Sequence, residues 1–124
     1  MAEIINLNKY TDKRGNLIVI EKVLPFTIKR VFYIYGVDDS VRGNHRHKTT
    51  IQAAVSIQGS CRISNKSGIG NAIEEFSLDT PSKCLLINPE DYHWMDNFSK
   101  DCILMVFASE YFDKNDYIYE NYHD

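Results

Sequence analysis

No stretch of this sequence sustains the three-to-four-residue apolar spacing of an amphipathic helix before its C-terminal end. That excludes a helical bundle or a layered α/β fold. Excess positive charge is missing too. Fourteen Lys and Arg against 17 Asp and Glu leave a formal net charge of −3, which argues against nucleic acid as the main partner, since phosphate binding needs a basic face. No apolar run is long enough to span a bilayer, and the opening residues MAEIINLNKYTDKRGN carry no apolar core followed by a cleavage site. We therefore expect no membrane association and a cytoplasmic location. Cysteine is scarce and odd in number. Cys61, Cys84 and Cys102 sit in apolar segments without CxxC spacing, which fits buried free thiols rather than a disulfide framework. Glycosylation-type triplets begin at Asn65 and Asn97, but nothing routes the chain for secretion. Repeats and low-complexity segments are absent.

What is present is a series of short β-rich runs punctuated by Gly, Asp, Asn and Pro, the pattern of a sandwich or barrel. At 124 residues, one domain over 1–124 is expected. Strands are predicted over Asn16–Lys22, Lys29–Tyr35, Cys61–Ser64, Ala72–Leu78 and Lys83–Ile87. Asp101–Ser109 is apolar on both faces, hence a central strand, and a short helix is expected from about Asp113. The glycine-rich stretch Asn65–Asn71 lacks the strand–loop–helix setting of a phosphate loop and reads as a turn.

The informative stretch is Arg42–Gly59, RGNHRHKTTIQAAVSIQG. His45 and His47 are two residues apart, so on a strand both imidazoles project to one face, about 7 Å apart at the backbone. Downstream, Ile51, Ala53, Val55 and Ile57 alternate with Gln52, Ala54, Ser56 and Gln58. The second set forms either the wall of a pocket or a solvent-facing side. The order HxH, four residues, Gln52, six residues, Gly59 is similar to the first motif of the cupin double-stranded β-helix, with glutamine where metal-binding cupins carry glutamate. Pro89…His93…Asn97 is the counterpart of the second motif, one residue short. A lone histidine is more often structural; three that fit two spaced motifs point to function.

An amide at position 52, with Arg46 and Lys48 flanking His47, disfavours a cation and favours an anionic ligand. We therefore expect no metal and no other cofactor. Two imidazoles in a pocket then suggest general acid–base chemistry, most simply proton removal beside a carbonyl and reprotonation on the neighbouring carbon. A tyrosine that donates to the developing enolate oxygen would complete the set, and Tyr33 and Tyr35 are candidates from their strand.

Arg14-Gly-Asn-Leu17, Ile28–Tyr35, Arg42–Lys48, Gln58–Cys61, Asp101-Cys102 and Ala108–Glu110 together resemble the dTDP-4-keto-6-deoxyglucose 3,4-ketoisomerases, RmlC-like (WxcM-like) jelly-roll cupins of deoxyaminosugar biosynthesis. The resemblance covers almost the whole chain. Members usually carry Ala between the two histidines, where this chain has Arg46. It implies an all-β fold and an isomerase that moves a keto group from C4 to C3 of a dTDP-linked 4-keto-6-deoxyhexose without a metal. His47 is then the candidate base at C3, His45 assists or returns a proton at C4, and Tyr33 supports the enediolate. Gln52 would contribute to substrate binding. Arg30, Arg42, Arg46 and Lys48 are candidates for the pyrophosphate, and Trp94 either stacks on thymine or belongs to the core. Arg14 and His93 resemble residues of members that make the galacto-configured 3-keto sugar. A homodimer with exchanged N-terminal strands is also implied. A 3,5-epimerase, a metal-dependent cupin and a non-catalytic sugar-nucleotide-binding module are the alternatives.

Overall fold

Strands this short bury their apolar faces only by pairing and stacking. The computed structural model describes residues 1–124. In chain order the strands are β1 (Glu3–Asn6), β2 (Lys9–Asp12), β3 (Gly15–Ile18), β4 (Arg30–Tyr35), β5 (Arg42–His47), β6 (Gln52–Gln58), β7 (Cys61–Lys66), β8 (Glu74–Leu78), β9 (Lys83–Ile87), β10 (Tyr92–Asp96), β11 (Ile103–Ala108) and β12 (Tyr117–Ile118). One sheet has the order β1-β9-β6-β11-β4 and the other β12-β5-β10-β7-β8, while β2 and β3 form a separate hairpin. Every pairing is antiparallel. The two five-stranded sheets face each other as a jelly roll. No helix is long and apolar enough to cross a membrane.

The main core lies between the sheets. Ala54, Leu85, Ile87, Leu104 and Val106 from the first meet Cys61, Ile63, Leu78 and Met95 from the second. Leu85, Leu104, Ile63 and Leu78 are wholly enclosed, and each such side chain contributes about 1.5–3 kcal/mol by leaving water. A second cluster sits on the outer face of the first sheet. There Ala53, Val55, Cys84 and Phe107 pack beneath Leu7, Ile18, Ile20, Leu24 and Phe26 of the N-terminal region. β6 is thus covered on both faces. Its alternating side is interior: Ala54 and Ser56 are buried, and Gln52 opens onto a cavity.

The expected strands over 29–35 and 83–87 are present, and the expected central strand is β11, paired on both sides. β1 and β2 have no counterpart among the sequence expectations, because EIIN and KYTD are too short and too mixed in polarity to announce strands. The short C-terminal helix is a single 3-10 turn over Lys114–Asp116, capped by the Asp113 carboxylate accepting from the Asn115 N–H. It goes no further because Tyr117 and Ile118 pair with β5 instead.

Candidate active site

β5 is delivered to the interior by a kink. Gly43 and Asn44 both have positive φ, 91° and 60°. A Cβ on Gly43 would lie 3.1 Å from the His93 carbonyl oxygen and 3.2 Å from the Trp94 Cα, both backbone atoms that cannot move aside. Only glycine lets β5 run this close to β10. The register that results sets His45 opposite His93, with a bulge between His93 and Trp94. Two histidines 48 positions apart in sequence thereby share the inner face.

The ring centroids of His45 and His47 are 4.9 Å apart, as are those of His45 and His93. Each imidazole is fixed through Nδ1. The His45 Nδ1–H donates to the Gly43 carbonyl at 3.1 Å, and the His93 Nδ1–H to the Asp91 carbonyl at 3.1 Å. The His47 Nδ1–H donates to Asp116 Oδ2 at 2.9 Å. Carbonyl and carboxylate oxygens only accept, so all three neutral rings keep their lone pair on Nε2. In His47 and His93 that Nε2 is buried and has no partner.

Charge is withheld from these rings. Burial, then the neighbouring His47, brings the His45 pKa down to about 4. Complete burial, then His45, brings His93 to about 3. His47 is also lowered by burial, but Asp116 works against that shift through its hydrogen bond and its charge. At neutral pH the cluster is therefore three neutral imidazoles, of which His47 alone has a carboxylate to stabilise its protonated form.

Asp116 is built for this. Burial would raise its pKa, but donated hydrogen bonds outweigh burial and hold the carboxyl well below the usual range. Oδ1 accepts from the Lys48 and Thr49 N–H groups and the Thr49 hydroxyl, and Oδ2 accepts from the Thr50 hydroxyl as well as from His47. Next to it in the chain, Tyr117 lies with its ring 4.6 Å from His47 and 4.8 Å from His45.

A cavity of about 330 Å³ opens over His45 and His93, lined among others by Arg30, Arg42, Gln52 and Tyr117. His47 adjoins it through His45 and Tyr117 without forming part of its wall. The size suits a hexose, and two guanidiniums suit an anion. No three His, Cys, Asp or Glu side chains converge with metal-site geometry.

The structure thus brings His45, His47, His93, Gln52, Arg30 and Arg42 together and leaves six other candidates elsewhere. Tyr33 is 61% exposed on the outer side of β4, because its neighbours Arg30, Phe32 and Ile34 take the inward positions of that strand. Its companion candidate Tyr35 shares that outer face. Arg46 also points out of the sandwich, since His45 and His47 occupy the inward places on either side, and its guanidinium lies 4.3 Å from the Tyr122 ring. Lys48 follows β5 into a different groove, beside Glu110, Tyr111 and Asp113. Arg14 belongs to the β2–β3 hairpin, paired with Asp12. Trp94 is half-buried, 6.0 Å from Tyr92, and lines no part of the cavity. Asp116 and Tyr117 went unseen in the sequence: they lie 69 and 70 positions beyond His47, in a tail whose acids and aromatics carry no spacing motif.

Known proteins resemble the chain over its full extent. The family model FdtA, described as WxcM-like, C-terminal, matches residues 1–124. A TDP-4-oxo-6-deoxy-alpha-D-glucose-3,4-oxoisomerase from Aneurinibacillus thermoaerophilus is 44% identical over 97% of this chain and 88% of its own length. The QdtA 3,4-ketoisomerase from Thermoanaerobacterium thermosaccharolyticum, solved as a double mutant in complex with TDP, superposes with a TM-score of 0.91 at 41% identity, covering 96% of this chain and 87% of that one. A histidine-to-asparagine variant of QdtA, in complex with TDP-4-keto-6-deoxyglucose, gives a TM-score of 0.90 at 39% identity over 96% of this chain and 87% of that one.

Proposed function

Because this chain belongs to the WxcM-like, C-terminal family, we propose that it is a sugar-nucleotide 3,4-ketoisomerase acting on dTDP-4-keto-6-deoxy-D-glucose. The observation that carries the reading is the Asp116–His47 pair, a neutral imidazole whose Nδ1–H is held by a carboxylate and whose Nε2 is free.

His47 Nε2 takes the C3 proton. The C3–H electron pair becomes the C3–C4 double bond, and the C4 carbonyl oxygen becomes an enolate oxygen that accepts a proton. Tyr117, facing the cavity beside both histidines, supplies that proton in place of Tyr33. The Tyr117 phenolate then recovers its proton from the C3 hydroxyl, which becomes the ketone as C4 takes the proton held on His47. That proton is exchangeable with solvent and passes directly or through His45. Protons and electrons balance, so no outside redox partner is consumed. Asp116 stabilises the His47 imidazolium while it holds the C3 proton. His45 is the weaker base, since only a backbone carbonyl faces its Nδ1. Arg30 and Arg42 hold the pyrophosphate, and Gln52 offers the sugar an unpaired amide oxygen.

In this reading the whole of residues 1–124 acts as one domain, without a metal or other cofactor, in the cytoplasm, where its three buried free thiols stay reduced. The product is the galacto-configured 3-keto sugar, used for a 3-amino-3,6-dideoxyhexose. The support is the likeness at Arg14 and His93, of which His93 lies in the cavity wall. The enzyme is a homodimer that exchanges N-terminal strands. Supporting that, Val31, Tyr33, Tyr35 and Ile57 leave an apolar outer face exposed.

The test is an NMR time course with dTDP-4-keto-6-deoxyglucose in D₂O with chelator present. The expected result is the 3-keto isomer with deuterium at C4. Deuterium at C5 would make the chain a 3,5-epimerase, and a C3 proton unexchanged over hours would make it a binding module.

A further inference from the structure

Asp116 and Tyr117 meet the histidines only because the segment that carries them is tied down further along. β12 contributes two residues of pairing, Tyr117 to His47 and Ile118 to Arg46, too little to seat a segment by itself. Beyond it the chain is fastened on the outer side of the second sheet. The Arg46 guanidinium stacks on the Tyr122 ring, its Nε donates to the Glu120 carbonyl at 3.2 Å, and one terminal nitrogen donates to the Tyr122 hydroxyl at 3.3 Å. That hydroxyl donates in turn to the Glu90 carbonyl at 2.8 Å. At the far end Lys66, 6% exposed although a lysine, gives its ammonium to both Asp124 oxygens at 3.0 Å and to the Asn71 carbonyl at 3.1 Å. The Gly70 N–H donates to Asp124 as well.

We propose that residues 117–124 form a strap that holds the Asp116–Tyr117 pair against the histidines, and that Arg46 and Lys66 are positioning residues for catalysis although neither lines the cavity. This rests on the ketoisomerase reading of the site. Arg46 sits between the two histidines in sequence and faces away from them in space. Holding the strap from there couples the outer face of β5 to the chemistry on its inner face. A buried ammonium held by a carboxylate is a costly arrangement for a surface that needs none, and seating the strap gives it a purpose.

The test compares Arg46→Ala, Lys66→Met and the Arg46→Ala/Asp116→Asn double variant with the wild type. Hydrogen exchange at the Tyr117 and Ile118 amides and the ¹⁵N signals of the His47 ring are followed beside the kinetics. In each single variant kcat should fall roughly 10-fold or more with KM changed less than about threefold, the two amides should lose protection, and the His47 ring should lose its fixed Nδ1–H tautomer. On the Asp116→Asn background Arg46→Ala should cost clearly less than on the wild type, since the share of its effect that runs through Asp116 is already lost and only the share through Tyr117 remains. A raised KM at unchanged kcat would instead make Arg46 a phosphate contact and overturn the proposal, as would additive losses in the double variant. If the wild type fails to isomerise its sugar nucleotide, the ketoisomerase reading falls. The exchange and ¹⁵N measurements then decide the strap alone, and unchanged protection in Arg46→Ala overturns it.

Discussion

Replacing Asp116 by Asn changes one atom and should disable His47. The two carboxylate oxygens are not equivalent. Oδ1 faces the Lys48 and Thr49 N–H groups, which cannot turn round, so the amide oxygen must stay there. The new NH₂ then points at the Thr50 hydroxyl and at His47 Nδ1, where Oδ2 was. The hydroxyl can rotate and accept, but Nδ1 can accept only by surrendering its proton. The ring is driven into the tautomer with hydrogen on Nε2, the atom that must take the C3 proton. A positioned base is worth about 10²–10⁴ in rate, and a wrong tautomer at the orienting carboxylate of a serine hydrolase costs about 10⁴. We expect kcat to fall by about 10²–10⁴, or about 3–5 kcal/mol of barrier at roughly 1.4 kcal/mol per decade. Initial rates of 3-keto sugar formation measure this, with circular dichroism confirming that the fold is retained. A folded variant within about fivefold of wild-type kcat would refute the argument and move the base to another residue.

His47→Asn removes the base itself and should reduce turnover at least ~10²-fold in the same assay; undiminished turnover would end its assigned role. Tyr117→Phe should lower kcat by roughly 10-fold or more while Tyr33→Phe leaves it unchanged, and the reverse order would return the phenol's role to β4. Stability should decline on acidification. His93 is neutral in the fold, with a pKa near 3 against an ordinary 6.5, so the unfolded chain binds the extra proton, and stability present above 6.5 is lost as pH falls towards 3. At about pH 5 this amounts to about 2 kcal/mol relative to about pH 8. Urea unfolding of wild type and His93→Gln at both pH values reads it, and equal losses in the two proteins would refute it. Gly43→Ala should destabilise by about 1–3 kcal/mol, because alanine resists the positive φ and its methyl meets β10; a melting temperature equal to wild type would contradict that.

The fold class and half of the site were legible in the sequence for the same reason: both depend on local periodicity. Alternation over Lys29–Tyr35 and Ile51–Gln58 announces strands, and the two-residue spacing of His45 and His47 puts both on one face. The same alternation fixes parity but not direction. It groups Tyr33 with Tyr35 and Val31, yet which group faces inwards depends on the strand's neighbours, and the inward places went to Arg30, Phe32 and Ile34. Arg46 is a similar case: a cation beside His47 in sequence is on the opposite side of the sheet in space. Asp116 left no local trace, since its role exists only once the chain returns to β5. Its five incoming hydrogen bonds come from residues 47–50.

That return has a consequence for the order of events as the protein is made. All three site histidines have been synthesised by residue 93, and of the two sheets that hold them only the two-residue edge strand β12 lies beyond β11. Yet His47 acquires its carboxylate only when residue 116 arrives and docks across a separation of 69 residues. A nascent chain can therefore be folded through its cores before it is competent, and maturation of the catalyst is a final docking step rather than the collapse of the sandwich.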